Sequence, residues 1–147
     1  MDERDEACAG WAITQLLYRA TALMDAARWD ELAGLYAEDA EMSRPSDPDN
    51  PVIGRAAILA SMRQRPARTS RHVISNPVVD LISETEARVR STVTLYSGPA
   101  TAEAGAVPAN GVILVGSFDD RLHRTPDGWR FTRRSGSMAL EFRPGDA

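Results

Sequence analysis

The sequence predicts an α+β fold, in which three N-terminal helices pack in a curved mixed or antiparallel β-sheet that encloses one pocket. Before Pro66 the apolar residues recur at helical spacing, and after it come long runs rich in β-branched residues. The 147 residues contain no linker and no internal repeat. This length is typical of one domain, so we expect a single domain over residues 1–147.

The first helix is predicted between Ala7 and Ala27. Its apolar face is formed by Ile13, Leu16, Leu17, Ala20, Leu23, Met24 and Ala27. A second flank carries Trp11 and Tyr18, with Asp25 at its end. A helix that is apolar nearly all round is normally covered on more than one side, so we expect Asp25 to lie out of bulk water.

Two further helices and a loop are predicted before the strands. A short second helix runs from Trp29 to Tyr36, with Asp30 as its N-cap. Residues 43–51 are rich in Pro, Asp and Asn, which is typical of a loop. Residues 54–64 predict a third helix. Its inward side chains would be Ala57, Ile58 and Met62.

Four long antiparallel strands are predicted after these helices. They cover residues 72–82, 87–96, 112–124 and 129–142. The second strand alternates apolar and polar side chains, as a strand buried on one side does. The sequence TPDG between the last two strands is a strong turn signal, and residues 97–110 predict a hairpin loop. A sheet that wraps the helices leaves a pocket beside the first helix, where we expect the functional site.

Composition excludes several classes of function. The formal net charge of -4 gives no electrostatic reason to bind nucleic acid or an anionic membrane. All 17 basic residues are arginine, so Schiff-base chemistry is excluded. Cys8 is the only cysteine, and the acidic N-terminus does not resemble a secretory signal. We expect a cytoplasmic protein that needs no cofactor and no metal.

Four segments carry a resemblance to a known family. They are AITQLLYRATALMDAARWDELAGLYAEDAEM (12–42), GRAAILASM (54–62), TSRHVISN (69–76) and GSFDDRLHRTPDGWRFTRRSG (116–136). In order and spacing they resemble the nuclear-transport-factor-two-like superfamily, and within it the SnoaL-like group that contains scytalone dehydratase and lindane dehydrochlorinase. The resemblance spans nearly the whole chain and implies a cone-like α+β barrel.

The resemblance also implies a catalytic site. An aspartate near the end of the first helix and a histidine on a sheet strand match Asp25 and His72, and a late arginine matches Arg134. Histidine can accept a proton near neutral pH, and a carboxylate bonded to its other nitrogen stabilises the resulting imidazolium. Tyr18 and Tyr36 are candidate hydrogen-bond donors to the substrate. The alternative for His72 is a strand-end histidine with a purely structural role.

Two strands carry further candidate residues. Asn76 is predicted to share the His72 side of its strand, where it would bind substrate or cap the strand before Pro77. Asp119, Arg121 and His123 share one strand face, but the chain has only two histidines, so we expect no metal site there. We expect these three residues to form an outer-face charge cluster or an oligomer contact.

By resemblance, the expected function is that of a cofactor-independent, dehydratase-like lyase acting on a small hydrophobic cyclic or polyketide-type molecule. An isomerase or an aldol-type cyclase would use the same Asp-His pair. Two other classes stay open: the small structural subunit of a ring-hydroxylating dioxygenase, and a non-catalytic ligand-binding domain. The relatives' groups for handling the leaving group are replaced here, for example by Met24 and Arg44. A homodimer or homotrimer is expected by resemblance only.

Overall fold

A computed structural model of the chain describes residues 1–145 and has the predicted α+β class. The described helices and strands are α1 Glu3–Asp25, α2 Trp29–Ala33, β1 Tyr36–Arg44, β2 Asp47–Ile53, α3 Arg55–Arg63, β3 Thr69–Leu81, β4 Glu86–Gly98, β5 Ile113–Thr125 and β6 Gly128–Phe142. The strands form one sheet in the order β2-β1-β6-β5-β4-β3. Strands β1 and β6 run parallel and the other neighbours run antiparallel, so the sheet is mixed.

Two features stabilise the long helix α1, namely its N-terminal cap and its buried face. Asp2 caps the N-terminus by accepting a hydrogen bond from the Asp5 N–H at 2.8 Å. The inward residues Ile13, Leu17 and Ala20 are fully buried against the concave side of the sheet. The helix ends at Asp25, and α1 packs mainly against β3. That packing brings the end of the helix to the start of β3.

The second flank of α1 is not covered, contrary to the sequence-based expectation. Trp11 is 67% exposed and Tyr18 is 42% exposed. The sheet covers one face of the helix, so the apolar residues of this flank meet solvent. Only Asp25, at the end of the flank, reaches the neighbouring strand and leaves bulk water.

The region between α2 and α3 differs most from the prediction. Residues 43–51 are not a loop, because most of them belong to the hairpin of β1 and β2. Strand β2 is an exposed edge strand, a position that tolerates its two prolines. Helix α2 ends at Ala33, and Tyr36 begins β1. Asp30 is not the cap of α2; it accepts a hydrogen bond from Arg63 at 2.7 Å.

The remaining elements follow the predicted pattern closely. In α3, Ile58 and Met62 are buried as expected, whereas Ala57 is exposed. In β4, Ala87, Val89, Ser91 and Val93 face the core in strict alternation. Strands β5 and β6 are joined by the turn at residues 125–128. Helix α1 and this sheet therefore enclose the space where the sequence places the functional site.

Candidate active site

A cavity of about 320 Å³ opens between the concave face of the sheet, the end of α1 and the segment that joins α3 to β3. Its lining is largely apolar, with side chains from Met24, Met42, Met62, Val93, Leu95, Leu114, Phe118 and Met138. Tyr36, His72 and Arg134 also line it, together with three further arginines. An apolar cavity with a few convergent polar groups is typical of a small-molecule site.

Asp25 and His72 are in direct contact beside this cavity. Oδ1 of Asp25 lies 2.6 Å from Nδ1 of His72, and Oδ2 accepts the backbone N–H of the same residue at 3.0 Å. The two side chains are 12% and 9% exposed. With Nδ1 bonded to the carboxylate, Nε2 is the ring nitrogen left to act on a ligand.

The carboxylate of Asp25 is held by three donor groups. Besides the two N–H groups of His72, the Ser70 hydroxyl donates to Oδ1 at 3.0 Å. Burial works against ionisation of this carboxyl, but the hydrogen bonds from His72 and Ser70 outweigh it and hold the pKa of Asp25 below its usual value. Asp25 is therefore an anion when it faces the imidazole.

Arg134 forms a buried ion pair on the inner face of the sheet. Its Nε and Nη2 donate to the two oxygens of Asp120 at 3.0 and 3.1 Å. The guanidinium stacks on Phe118, with 3.8 Å from its carbon to the ring centre. Burial opposes the charge, but the carboxylate of Asp120 more than compensates and raises the pKa of Arg134. Its remaining nitrogen, Nη1, is buried without a hydrogen-bond partner within residues 1–145.

Tyr36 completes the polar groups on this side of the cavity. Tyr36 is 1% exposed, and its ring packs on Phe131 with 5.1 Å between ring centres. Burial raises the pKa of the Tyr36 hydroxyl, although Arg134 acts in the opposite direction. The hydroxyl therefore stays protonated at neutral pH and can donate a hydrogen bond.

The structure brings four of the predicted site residues to the cavity and leaves two outside. His72, Arg134 and Tyr36 line it, with Asp25 directly behind His72. Tyr18 is not among the lining residues, because the flank of α1 that carries it faces solvent. The sequence-based placement of Tyr18 at the substrate is corrected accordingly.

Asn76 also lies outside the cavity, on the outer face of the sheet. The pairing of β3 with β4 shifts between Ser75 and Val78, and Asn76 has a φ of 51°, in the left-handed region. This bulge inverts the alternation, so Asn76 no longer shares the side of His72 and instead neighbours the outward residues Val78 and Arg90. The prediction that Asn76 shares the side of His72 is wrong for this reason.

Asp120 was missed by the sequence reasoning, although a signal for it was present. Placing Asp119, Arg121 and His123 on one face of β5 puts Asp120 on the opposite, inward face. The structure has Asp120 fully buried, whereas Asp119 pairs with Arg88 at the surface.

Among residues 1–145, no three His, Cys, Asp or Glu side chains are grouped so that they could hold a metal ion. Likewise, none of the described helices is long and apolar enough to cross a membrane.

Comparisons with known proteins agree with this architecture. The model of the SnoaL-like domain family matches residues 5–135. A protein from Novosphingobium aromaticivorans, provisionally named a scytalone dehydratase, superposes with a TM-score of 0.81 at 26% identity, covering 99% of both chains. No curated protein matches the sequence significantly.

Two further solved structures share the fold at lower sequence identity. The hexachlorocyclohexane dehydrochlorinase LinA-type3 of Novosphingobium barchaimii has a TM-score of 0.79 at 16% identity, covering 99% of this chain and 97% of that chain. A provisionally named aromatic ring hydroxylase of Novosphingobium aromaticivorans has a TM-score of 0.75 at 19% identity, covering 91% of both chains. At these identities the likeness shows the fold alone.

Proposed function

Because the chain belongs to the SnoaL-like domain family and has the nuclear-transport-factor-two-like fold, we propose that it is a cofactor-independent lyase of the dehydratase type. Its substrate would be a small, largely hydrophobic cyclic or polyketide-type molecule. The observation that carries the proposal is the Asp25–His72 pair, joined at 2.6 Å beside a mostly apolar cavity. The 26% identical relative, provisionally named a scytalone dehydratase, supports the same class of reaction.

In the proposed reaction, Nε2 of His72 takes a proton from a carbon next to an activating carbonyl group. The electron pair of that C–H bond forms the new double bond, and the leaving hydroxide departs with its own bonding pair. Asp25 stabilises the imidazolium and keeps Nδ1 protonated throughout. The imidazolium then returns its proton to the hydroxide, so that water is the second product.

Two side chains would supply donors for the negative charge that develops on oxygen. The unpartnered Nη1 of Arg134 and the protonated hydroxyl of Tyr36 both belong to cavity-lining side chains. Preorganised donors of this kind stabilise an enolate or a departing oxygen without reorganisation. Asp120 balances the charge of Arg134, so the ion pair as a whole is close to neutral. Such a pair suits a substrate oxygen that carries only a partial negative charge in the ground state.

The test uses the β-hydroxy derivative of α-tetralone, which loses water to give fluorescent α-naphthol. We expect the wild-type protein to accelerate this elimination and the His72→Ala variant to lose the acceleration. The His123→Ala variant is the matched control, because His123 is the other histidine and is exposed on the outer face. Full activity of His72→Ala would exclude His72 as the base.

The same proton transfer would begin an isomerisation or an aldol-type cyclisation. The assay is therefore repeated in deuterium oxide, and exchange of the proton beside the ketone is followed by NMR. Exchange that depends on His72 without elimination would assign the pair to an isomerase or cyclase. If the wild-type protein gives neither exchange nor elimination above the level of His72→Ala, proton abstraction from this class of ketone is refuted.

We also propose that the protein forms a homodimer or homotrimer through the outer face of the sheet. Large apolar side chains are exposed on the strands, namely Val73, Val78, Tyr96, Leu140 and Phe142. Exposed apolar groups of this kind are common at subunit interfaces. Light scattering on the purified protein tests this directly, and a monomer at high concentration would refute it.

A further inference from the structure

Three arginines gather on one side of the cavity and play no part in the proposed proton transfer. Arg44 comes from the end of β1, and Arg65 and Arg68 come from the segment between α3 and β3. No aspartate or glutamate of the described chain lines the cavity. The cavity is thus cationic in a protein whose formal net charge is -4.

These arginines have no counter-ion within residues 1–145. None of the three takes part in a salt bridge, and Arg44 uses one nitrogen to bind the backbone oxygen of Ser61 at 3.0 Å. Nε of Arg65 is buried without any hydrogen-bond partner. Burial, together with the like charges of Arg44 and Arg68, lowers the pKa of Arg65 to about 10. The unpaired charge on the partly buried Arg65 costs free energy, which an anionic group of a ligand would offset.

Arg134 does not share this property. Its charge is already balanced by Asp120 through two hydrogen bonds, and the pair is fully buried. A fully charged ligand group therefore has more to gain from Arg65 and its two neighbours than from Arg134. The three arginines and Arg134 are therefore suited to different groups of one molecule.

Arg44 is held in place by close packing of the β1–β2 turn on the sheet. Pro45, which follows it, lies against Gly136 of β6 so closely that a Cβ on this glycine would collide with the proline backbone. The Gly136 N–H also donates to the Ser43 hydroxyl at 3.3 Å. These contacts fix the backbone of Arg44 at the cavity, and the hydrogen bond to the Ser61 carbonyl holds its side chain.

We infer that the substrate carries a carboxylate group, which Arg65 binds together with Arg44 and Arg68 while its ring lies on the apolar lining within reach of His72. The position of the ring in this inference rests on the proposed function. The negative charge of the substrate is inferred from the three arginines alone. A guanidinium presents paired N–H donors in the geometry that a planar carboxylate accepts. The cavity volume of about 320 Å³ accommodates a bicyclic acid.

The test compares β-naphthoate with β-naphthamide, which share the ring system and differ in charge. Isothermal titration calorimetry at neutral pH should give a dissociation constant about tenfold or more lower for the naphthoate. In Arg65→Met the naphthoate should bind no better than the amide, whereas the amide should keep its affinity. Retained amide binding also shows that the variant is folded.

Arg19→Met is the matched control, because Arg19 is exposed on α1 and does not line the cavity. It should keep the preference for naphthoate. Equal binding of the two probes by the wild type, or no binding of naphthoate at millimolar concentration, overturns the inference. So does a preference that survives in the combined Arg44→Met, Arg65→Met, Arg68→Met variant.

The two proposals can fail separately. His72→Ala should keep the preference for naphthoate, because the arginines do not depend on the imidazole. If this preference is present but His72→Ala retains full activity, the proposed base is refuted and the carboxylate site stands. If elimination requires His72 but the two probes bind equally, the lyase stands and the carboxylate site is refuted.

Discussion

Asp25 and His72 are joined twice, through the imidazole at 2.6 Å and through the backbone N–H of His72 at 3.0 Å. Asp25 is the last residue of α1, where the partial negative charge of the helix disfavours another anion. Three donor groups from the start of β3 offset that cost. The carboxylate therefore ties the end of the helix to the strand and orients the ring in the same contact.

Replacing Asp25 by Asn should impair both activity and stability. An amide cannot accept all the hydrogen bonds that the carboxylate accepts, and its own N–H₂ would face a donor. We expect kcat to fall about a hundredfold or more, and the free energy of unfolding to fall by about 1–3 kcal/mol. Elimination kinetics and urea unfolding measure the two effects. Ser70→Ala, which removes only one donor, should have a clearly smaller effect on both.

The contribution of Asp25 to stability should depend on pH in a defined direction. Because the folded state holds the pKa of Asp25 below its usual value, this stabilisation is fully present above the unfolded pKa and is lost as the pH falls through the folded one. The difference in unfolding free energy between wild type and Asp25→Asn should therefore shrink as the pH falls from about 5 through the lowered pKa of the folded state. A difference that is constant over this range would show that the carboxylate is not specifically stabilised.

Two neighbouring aspartates of β5 offer a matched pair of variants. Asp120→Asn leaves the buried Arg134 without a counter-charge, and we expect a loss of about 3–5 kcal/mol of unfolding free energy. Asp119→Asn breaks a pair at the surface, between side chains that are 44% and 38% exposed, and should change stability little. Chemical denaturation of both variants measures the difference. Similar effects would contradict the assignment of inner and outer faces.

The alternation of residues along the strands was the part of the sequence that predicted side-chain orientation best. It separates Arg134, which is 2% exposed, from the exposed Arg133, and the same rule would have identified Asp120. The rule fails at Asn76, because one residue in the left-handed region inverts the pattern. No neighbouring Gly indicates the bulge in the sequence. Alternation predicts orientation only where the register is uninterrupted.

The cationic side of the cavity could not be predicted from the sequence. Residues 43–51 have the composition of a loop, and they form a hairpin only because β1 pairs with β6 and β2 then pairs with β1. Arg44 comes from a segment about twenty residues before Arg65 and Arg68, and the two segments meet because α3 packs on β1. By contrast, the sequence did point to Asp25 and His72. Asp25 is a lone carboxylate on an otherwise uncharged flank of the first helix, and the family resemblance matches it with His72.

Tyr36→Phe should reduce catalysis while leaving the fold intact. The ring would still pack on Phe131, and the backbone oxygen of residue 36 would still accept the hydrogen bond from Arg55. If the hydroxyl donates to oxygen in the transition state, its loss should lower kcat by about a hundredfold with little change in KM. Tyr18→Phe is the control, because Tyr18 is exposed and lies outside the cavity. A loss of activity in Tyr18→Phe equal to that in Tyr36→Phe would contradict this placement of the site.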